Sequence, residues 1–562
     1  MKKYILHNKL RFAVLVFLKM LNTFVFLYFS FIIKDVINSA LTDGRQNLWE
    51  YVLFGIVYSV VLVVCFIMVA SVHSYYVNRC MYLMKKDYIE KLFMMPYEKI
   101  VRKESSSYIS AMTNDINMVR NGYIEQIFAI MDSVISILFA SGYILFINPK
   151  IFLFVIISAI VLPFCPILME KQLFRADEEL SNANEKYVSA LKGILSGVDV
   201  IKTFSCSGNM LRRVYSPMDE QRKKAIHNDM LSIKLSSFST TIMNVIKFGI
   251  VIMGGYYVSK GSMDVGSVTA LFVLSSSFLN PIMSLCYQVG NIMGSKAVVQ
   301  KINEIICADT GRKQPADRSM DGIDHIVLSN VTYSYNDKQD VLHDLSLTFE
   351  RNRKYLIIGE SGAGKSTIIK LLLRMYTNYK GTISLNDVDY TLINDETVFW
   401  HFGYAQQRAF IFNGTLRENI DINNSGDEER LMQCIKQCRL EKFVSSLENG
   451  VDTVIGEELN CISEGEKLRI CLARTLYKDS ESLLLDEVTA SLDLANSLEI
   501  ERMILGFNDK MIINICHKFN KEIAVLYDSI IIVENGRAVL SGNYNEIKNN
   551  EIFCKYLKKE RE

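Results

Sequence analysis

A glycine-rich segment, GESGAGKST at residues 359–367, contains the residues whose types and spacing point most directly to chemistry. It follows the apolar run KYLII and precedes the helical run IIKLLLRM, which is the strand–loop–helix context that the pattern G-x-x-x-x-G-K-[ST] requires. Backbone N–H groups of such a loop can surround phosphate oxygens, while the Lys365 ammonium neutralises them and the Ser366 hydroxyl binds Mg²⁺. The sequence therefore predicts a nucleoside triphosphate site. Its residues in this loop are Gly359, Ser361, Gly362, Gly364, Lys365, Ser366 and Thr367.

A second chemical signal is SLLLDE at residues 482–487, an apolar run that ends in two carboxylates. Beside a phosphate loop, the first carboxylate suits a Mg²⁺ ligand, and the second can polarise an attacking water. We therefore predict that Asp486 helps to hold Mg²⁺ and that Glu487 is a catalytic residue. Without the glycine-rich segment, the same run would be interpreted as a solvated strand end.

The residues around these motifs predict an α/β domain. Short apolar runs alternate with helical patterns, as in a parallel sheet covered by helices. We predict this P-loop ATPase domain over residues 322–562, after a linker at 307–321 where turn-forming and charged residues replace long apolar runs. The predicted strands are Ile326–Tyr335, Lys354–Ile358, Ser482–Leu485, Met511–Ile515 and Ser529–Val533.

Residues 1–306 predict an all-α transmembrane domain instead. Phe12–Ile33 contains only one charge, Lys19, and as a helix it would extend ~33 Å, enough for a hydrocarbon core of ~30 Å. A cleaved signal peptide is the alternative interpretation of this run, although the run is long for one. Runs of comparable length bring the prediction to six spans. The other five are Leu53–Val72, Ile127–Ile147, Ile151–Met169, Phe238–Val258 and Val268–Val289.

Basic residues are distributed unevenly between these spans. Residues 79–120 contain eight Lys and Arg and residues 171–234 contain eleven, whereas the other connectors offer only Arg45, Lys150 and Lys260. The positive-inside bias therefore predicts a multi-pass protein of the cytoplasmic membrane with both termini and the ATPase domain in the cytoplasm. Apolar periodicity in the two basic connectors predicts that they continue as helices out of the bilayer.

The composition of the whole chain excludes other classes of protein. The 562 residues include 62 Lys and Arg against 61 Asp and Glu, so the large basic field typical of nucleic-acid-binding proteins is absent and no nucleic acid partner is expected. The 12 cysteines form no C-x-x-C pair, which predicts reduced thiols and no zinc site.

Together these motifs resemble those of an ATP-binding cassette (ABC) transporter of the exporter class, over nearly the whole chain. The resemblance implies ATP and Mg²⁺ as cofactors and roles for further residues. VTYSY at 331–335 is similar to the strand whose aromatic side chain stacks on adenine, which would be Tyr335; a core tyrosine is the alternative. YAQQRAFIFNGTLRENI at 404–420 resembles the glutamine loop, in which Gln407 would contact Mg²⁺ or water and the membrane domain; Gln406 is the alternative residue. ASLD at 490–493 and NICHKFN at 514–520 place Asp493 at a dimer interface and His517 near the γ-phosphate.

The segment ISEGE at 462–466 lies where the family has its LSGGQ signature. In the family this segment contacts the γ-phosphate of the ATP bound by the partner chain, so Ser463 and Gly465 are expected to bind nucleotide. Glu464 and Glu466 replace a glycine and a glutamine. Carboxylates near a phosphate are unfavourable unless they point away or pair with Lys467 or Arg469.

The resemblance implies a dimer of two half-transporters that hydrolyses ATP with Glu487, His517, Gln407 and Lys365 as catalytic residues. The expected function is export of a peptide, drug-like molecule or lipid. The alternatives are an importer on the same fold and a weakly hydrolysing subunit of a heterodimer. A homodimer is favoured because Ser463 and Gly465 are retained. Two ionisable residues inside predicted spans, Lys247 and Asp132, are candidates for substrate contact.

Overall fold

The structure is a computed structural model that describes residues 1–42, 48–308, 322–335, 339–393, 395–406, 409–456, 462–489, 494–516 and 521–558. The chain forms two compact units. The first contains Met1–Met94 and continues from Lys103 to the end of the long helices, and the second combines Met95–Arg102 with the C-terminal part of the chain. The domain limits at 306 and 322 stay a prediction, because residues 309–321 lie outside the described residues.

The described N-terminal part of the chain consists of helices joined by short turns. Its helices are α1 Lys2–Ile5, α2 Lys9–Thr42, α3 Leu48–Met94, α4 Tyr97–Val101, α5 Ser105–Ser110, α6 Ile116–Val119, α7 Glu125–Ile147, α8 Pro149–Val161, α9 Phe164–Ser196, α10 Val198–Thr203, α11 Ser207–Ser259 and α12 Val265–Ile306. Two π-helical turns, Ala111–Asp115 and Arg120–Ile124, join α5, α6 and α7 into one continuous helix. The predicted helical continuation of the basic connectors is confirmed by α3, α9 and α11.

Among the described residues, five helices are long and apolar enough to cross a membrane. The fourth predicted span, residues 151–169, is instead divided between the shorter apolar helix α8 and the start of α9. The division falls at Leu162 and Pro163. Proline has no N–H to donate to the carbonyl four residues earlier, and the Leu162 N–H donates to Ala159 in a tighter turn.

Two main sheets organise the second unit. The six-stranded sheet has the order β12-β11-β3-β10-β9-β6, in which only β12 is antiparallel to its neighbour, and the four-stranded antiparallel sheet has the order β2-β1-β4-β5. The pair β7-β8 is separate. The strands are β1 His325–Ser334, β2 Asp340–Glu350, β3 Lys354–Ile358, β4 Lys380–Leu385, β5 Val388–Asp389, β6 Phe402–Ala405, β7 Gly414–Thr415, β8 Val454–Ile455, β9 Ser482–Asp486, β10 Met511–Ile515, β11 Ser529–Glu534 and β12 Arg537–Gly542.

All five predicted strands are present, and the α/β fold is confirmed. Helices pack around the sheets, and two 3₁₀ turns, Tyr390–Leu392 and Gly450–Asp452, complete the unit. The helices are α13 Lys365–Leu372, α14 Asp395–His401, α15 Leu416–Ile420, α16 Glu428–Gln437, α17 Glu441–Ser446, α18 Glu464–Tyr477, α19 Leu494–Leu505, α20 Lys521–Ala524, α21 Tyr544–Ile547 and α22 Glu551–Lys558.

The short helix α4 belongs to the second unit although it lies between two helices of the first. The Tyr97 ring meets the Tyr376 ring edge-on, with 6.1 Å between the centroids. Glu98 and Arg102 form an ion pair across one helical turn, at 2.6 Å. The second unit is therefore built from two separate pieces of the chain.

Candidate nucleotide-binding site

The glycine-rich loop begins at the carboxyl end of β3, a central strand that is buried over most of its length. In open sheets of this kind, ligands bind at the carboxyl ends of the parallel strands. A Cβ on Gly359 would lie 2.2 Å from the Val533 carbonyl oxygen, so no larger residue fits beside β11. Gly364 has φ +93° and precedes the first turn of α13, where the helix N-terminus can bind anions.

Lys365 is buried at the base of this loop. Its Nζ donates hydrogen bonds to the carbonyl oxygens of Gly359 and Glu360, each at 2.9 Å, so the ammonium is bound by the loop itself. Burial lowers the pKa of Lys365 below its ordinary value, and the nearby carboxylates of Glu487 and Asp486 oppose that shift. A buried cation at the N-terminal end of a helix is suited to bind a phosphate.

Ser366 and Asp486 form the second part of the site. The Ser366 hydroxyl donates to Asp486 Oδ1 at 2.8 Å, and Asp486 is buried at the end of β9. A hydroxyl and a carboxylate are hard oxygen ligands of the kind that Mg²⁺ binds together with phosphate oxygens and waters. Two of the three side chains that the sequence assigned to Mg²⁺ from separate motifs, Ser366 and Asp486, are therefore in direct contact.

Glu487 follows Asp486 with a left-handed backbone conformation, at φ +52°. Its N–H donates to the Ile515 carbonyl at the end of the neighbouring strand β10, at 3.0 Å. Non-glycine residues held in this conformation cost free energy and cluster at functional sites. The backbone geometry turns the chain directly after β9, and Glu487 is close enough to Lys365 to affect the pKa of that amine.

Tyr335 is held by the helix that follows the loop. Its hydroxyl and the Thr367 hydroxyl are 3.0 Å apart, in a hydrogen bond that either group can donate. Its ring contacts the rings of Tyr333 and Tyr376 edge-on, at 5.1 and 5.2 Å between centroids. Burial raises the pKa of Tyr376 to about 12. Sequence reasoning missed Tyr376, because an aromatic residue just beyond a helix has no distinctive local pattern.

The ISEGE segment forms the start of α18, and its two carboxylates take different partners. Ser463 is the N-cap: its hydroxyl donates to Glu466 Oε2 at 2.7 Å and accepts from the Glu466 N–H at 3.3 Å. The Ser463 N–H donates to the same carboxylate oxygen at 2.9 Å, which completes a capping box. Glu464 pairs with Lys467 at 2.8 Å, and Gly465 lies in the same first turn. The Ser463 hydroxyl is thus engaged by its own helix.

Three predicted site residues, Gln407, Asp493 and His517, lie outside the described residues, and their roles stay predictions.

The two membrane residues singled out from the sequence have different surroundings. Asp132 pairs with Lys19, with 2.6 Å between Oδ2 and Nζ. The Lys247 Nζ lies 5.8 Å from the centroid of the Phe272 ring. Lys19 is conspicuous in the sequence because it is the only charge of its predicted span. The sequence did not indicate, however, that Asp132 would be its partner.

Two sequence families match this chain, one in each half. Residues 12–282 match the family described as ABC transporter transmembrane region, and residues 342–490 match the family described as ABC transporter. The two matches together cover more than half of the chain and include the glycine-rich loop and the end of β9.

Individual relatives have low sequence identity to this chain, but the alignments cover two thirds of it or more. The lactococcin-G-processing and transport ATP-binding protein LagD of Lactococcus lactis subsp. lactis is 28% identical over 381 residues, which is 67% of this chain and 54% of LagD. The ABC transporter ATP-binding protein YwjA of Bacillus subtilis (strain 168), itself uncharacterized, is 25% identical over 82% of this chain and 80% of its own. This chain thus spans about half the length of LagD and most of YwjA.

A solved structure of a bacterial Atm1-family ABC exporter with ATP bound has the same fold. The TM-score is 0.83 at 18% sequence identity, and the superposition covers 98% of both chains. At this identity the likeness concerns the fold.

Proposed function

This chain belongs to the ABC transporter family, and on that premise we propose that it is an ATPase half-transporter that exports a substrate across the cytoplasmic membrane as a dimer. The observation that carries the proposal is the contact of Ser366 with Asp486 beside the buried Lys365, in the same chain as five long apolar helices. Two such chains would supply two sites and a complete translocation pathway.

The site residues divide the chemistry of ATP hydrolysis between them. Lys365 would exchange its two carbonyl contacts for oxygens of the β- and γ-phosphates, which are stronger, charge-assisted acceptors. Ser366 and Asp486 would hold Mg²⁺, which when bound neutralises charge on the phosphates. Glu487 would accept the proton of the attacking water, since the turn after β9 places it beside the phosphate loop. His517 and Gln407 complete the proposed catalytic set, and Asp493 the proposed dimer interface.

Tyr335 is proposed to stack on the adenine ring. Its hydrogen bond to Thr367 fixes the ring relative to the phosphate loop, so one nucleotide could contact both. The Tyr97 ring of α4 touches Tyr376, which in turn touches Tyr335. α4 follows α3 after two residues along the chain. A movement of Tyr335 on nucleotide binding could therefore be transmitted through Tyr376 and Tyr97 to the segment that continues α3.

The proposed topology places both termini and the second unit in the cytoplasm, on the basis of the basic residues in the connectors at 79–120 and 171–234. The bilayer, a second copy of this chain and the transported molecule are the proposed partners.

The test is the Mg²⁺-dependent ATPase rate of the purified chain in lipid nanodiscs, beside Glu487→Gln. Loss of a general base lowers the rate by about 10²–10⁴-fold, and ATP binding should be retained. A wild-type rate no higher than that of Glu487→Gln would contradict a self-sufficient homodimer.

The engaged Ser463 hydroxyl favours one second candidate: a subunit that binds ATP but hydrolyses it weakly and needs a different partner chain. Addition of such a partner would then raise the ATPase rate of a chain that is inactive alone.

A further inference from the structure

Glu501 lies on the face of α19 that packs against the core of the second unit. The residue is only 4% exposed, and its helix neighbours Ile500 and Ile504 are buried as well. A carboxyl group is rarely buried without hydrogen-bond partners, because its transfer out of water is costly. Glu501 belongs to none of the motifs of the nucleotide site, so its burial needs its own explanation.

Two segments that meet beside Glu487 are hydrogen-bonded to this carboxyl group. The Thr489 hydroxyl donates to Glu501 Oε1 at 2.9 Å, and the Cys516 thiol donates to the same oxygen in a longer contact of 3.9 Å. Thr489 lies two residues after Glu487, and Cys516 is the residue that follows β10. One oxygen of a buried carboxyl group therefore joins the chain after β9 to the chain after β10.

The same two segments are also joined directly. The Glu487 N–H donates to the Ile515 carbonyl at 3.0 Å, and Ile515 precedes Cys516. Glu487 has φ +52°, a conformation that a non-glycine residue keeps only where its surroundings over-determine it. The hydrogen bonds made by Glu487 and Thr489 lie on either side of this turn and can supply that constraint.

The Cys516 thiol is fixed from its other side by Asn514. The Asn514 amide donates to Cys516 Sγ at 3.2 Å and to the Tyr527 hydroxyl at 2.6 Å. Burial raises the pKa of the Cys516 thiol well above its ordinary value, and the Glu501 carboxyl group adds to the shift, so the thiol keeps its proton and can donate it. These residues are at most 4% exposed, so their hydrogen bonds form away from bulk water, where such bonds are stronger.

This buried network lies next to the phosphate loop. The Glu487 carboxylate and the Cys516 thiol are both close enough to Lys365 to oppose the lowering of its pKa by burial. A displacement of the turn after β9 would therefore move Glu487 relative to the phosphate that Lys365 is proposed to bind. An error of about 1 Å in the position of a reacting group can lower a rate by about 100-fold.

We propose that Glu501 is a positioning residue for Glu487, the proposed general base: by holding Thr489 and Cys516, it fixes the turn after β9 in the geometry that attack of water on the γ-phosphate requires. The inference rests on the proposed ATPase function. Glu501 acts through its neighbours and is not itself a catalytic residue.

The main experiment compares Glu501→Met with Glu501→Gln in the full chain in nanodiscs. It measures the rate of ATP hydrolysis at saturating Mg²⁺-ATP, divided by the amount of chain that binds nucleotide, and separately the Kd for a fluorescent ATP analogue. Glu501→Met removes the acceptor, so the rate should fall at least about tenfold while the Kd changes less than about twofold. Glu501→Gln keeps an oxygen to which Thr489 can donate, so it should retain more of the rate than Glu501→Met.

A second pair of variants tests the same hydrogen bond from its other end, in case Glu501→Met does not fold. Thr489→Val replaces the hydroxyl with a methyl group and should lower the rate, whereas Thr489→Ser keeps the hydroxyl and should lower it less. Arg502→Met is the matched control on the same helix. The Arg502 side chain is 59% exposed and pairs with Glu522 at the surface, so this variant should have the wild-type rate.

The Glu487→Gln background separates positioning from a purely structural role. Once the general base is absent, its position no longer matters, so adding Glu501→Met should not lower the residual hydrolysis rate, measured with radiolabelled ATP, any further. General damage to the fold or to the site would instead lower the residual rate by the same factor as in the wild type.

Four results would overturn the inference: an unchanged rate in Glu501→Met, a Kd that rises as much as the rate falls, an equal loss in Arg502→Met, or the same loss in the Glu487→Gln background. If Glu501→Met does not fold, an unchanged rate in Thr489→Val would overturn it. A wild-type rate no higher than that of Glu487→Gln removes the proposed function as well, whereas an active wild type with an unchanged rate in Glu501→Met removes this inference alone.

Discussion

Neutralising Glu466 should raise the ATPase rate of the chain. In the proposed dimer, Ser463 has to contact the phosphate of the partner's nucleotide, yet its hydroxyl donates to Glu466 at 2.7 Å. A hydrogen bond to a charged group contributes about 1.5–3 kcal/mol when protected from water, and this one is exposed, so about 1 kcal/mol is a reasonable cost for releasing the hydroxyl. Glu466→Gln can keep the capping box without the charge. We therefore expect an increase of about fivefold.

The assay is the Mg²⁺-dependent ATPase rate at saturating ATP, in nanodiscs and at two salt concentrations. Glu464→Gln is the matched control, because it removes the same charge from the same helical turn while its partner is Lys467. Both variants lose a favourable interaction with the helix dipole, so any general effect of charge on α18 appears in both. Equal rates for the two variants, or a lower rate for Glu466→Gln than for the wild type, would refute the reasoning.

Three further predictions concern the nucleotide site. Tyr335→Ala removes the ring that is proposed to stack on adenine, so the Kd for ATP should rise about tenfold in a fluorescent-nucleotide titration, since a base–aromatic stack contributes about 1–3 kcal/mol. Tyr335→Phe keeps the ring and loses only a hydrogen bond that is present without nucleotide, so it is the matched control; equal Kd values for Tyr335→Ala and the wild type would exclude stacking. Asp486→Asn removes the carboxylate beside Ser366, so half-maximal ATPase activity should need at least about tenfold more Mg²⁺. A Mg²⁺ titration at fixed ATP measures this requirement, and an unchanged value would mean that Asp486 does not bind the ion. Gly364→Ala places a Cβ 2.7 Å from the Leu342 side chain on a residue with φ +93°, so it should lower the free energy of unfolding by about 1–2 kcal/mol. Gly208→Ala is the control: its Cβ meets no atom within 4 Å, so the midpoint of thermal unfolding should not fall.

The central sheet could be predicted from the sequence because its strands are local apolar runs. Lys354–Ile358 and Met511–Ile515 begin and end where the residue pattern placed them. The break at Pro163 was also visible in principle, since a proline inside an apolar run removes a backbone donor. The run was nevertheless long enough to be interpreted as one span.

The pairs that complete the sites could not be predicted in the same way. Lys19 and Asp132 are more than a hundred residues apart, and only the packing of α2 against α7 brings them together. Tyr376 meets Tyr335 through the fold of β1 against the loop after α13. By contrast, a serine followed three residues later by a glutamate is the local pattern of a capping box. The sequence alone could therefore have predicted that the Glu466 side chain points back to Ser463.

The membership of Met95–Arg102 in the second unit has a practical consequence for any attempt to study the ATPase separately. A gene fragment that starts at residue 322 would encode a protein lacking α4, and the Tyr376 ring would lose its edge-on neighbour Tyr97. Truncation would therefore expose an aromatic surface that the intact polypeptide covers with a piece from its own N-terminal third. Grafting residues 95–102 onto such a fragment through a flexible tether would restore the missing contact, and its effect on solubility would report how much that contact contributes.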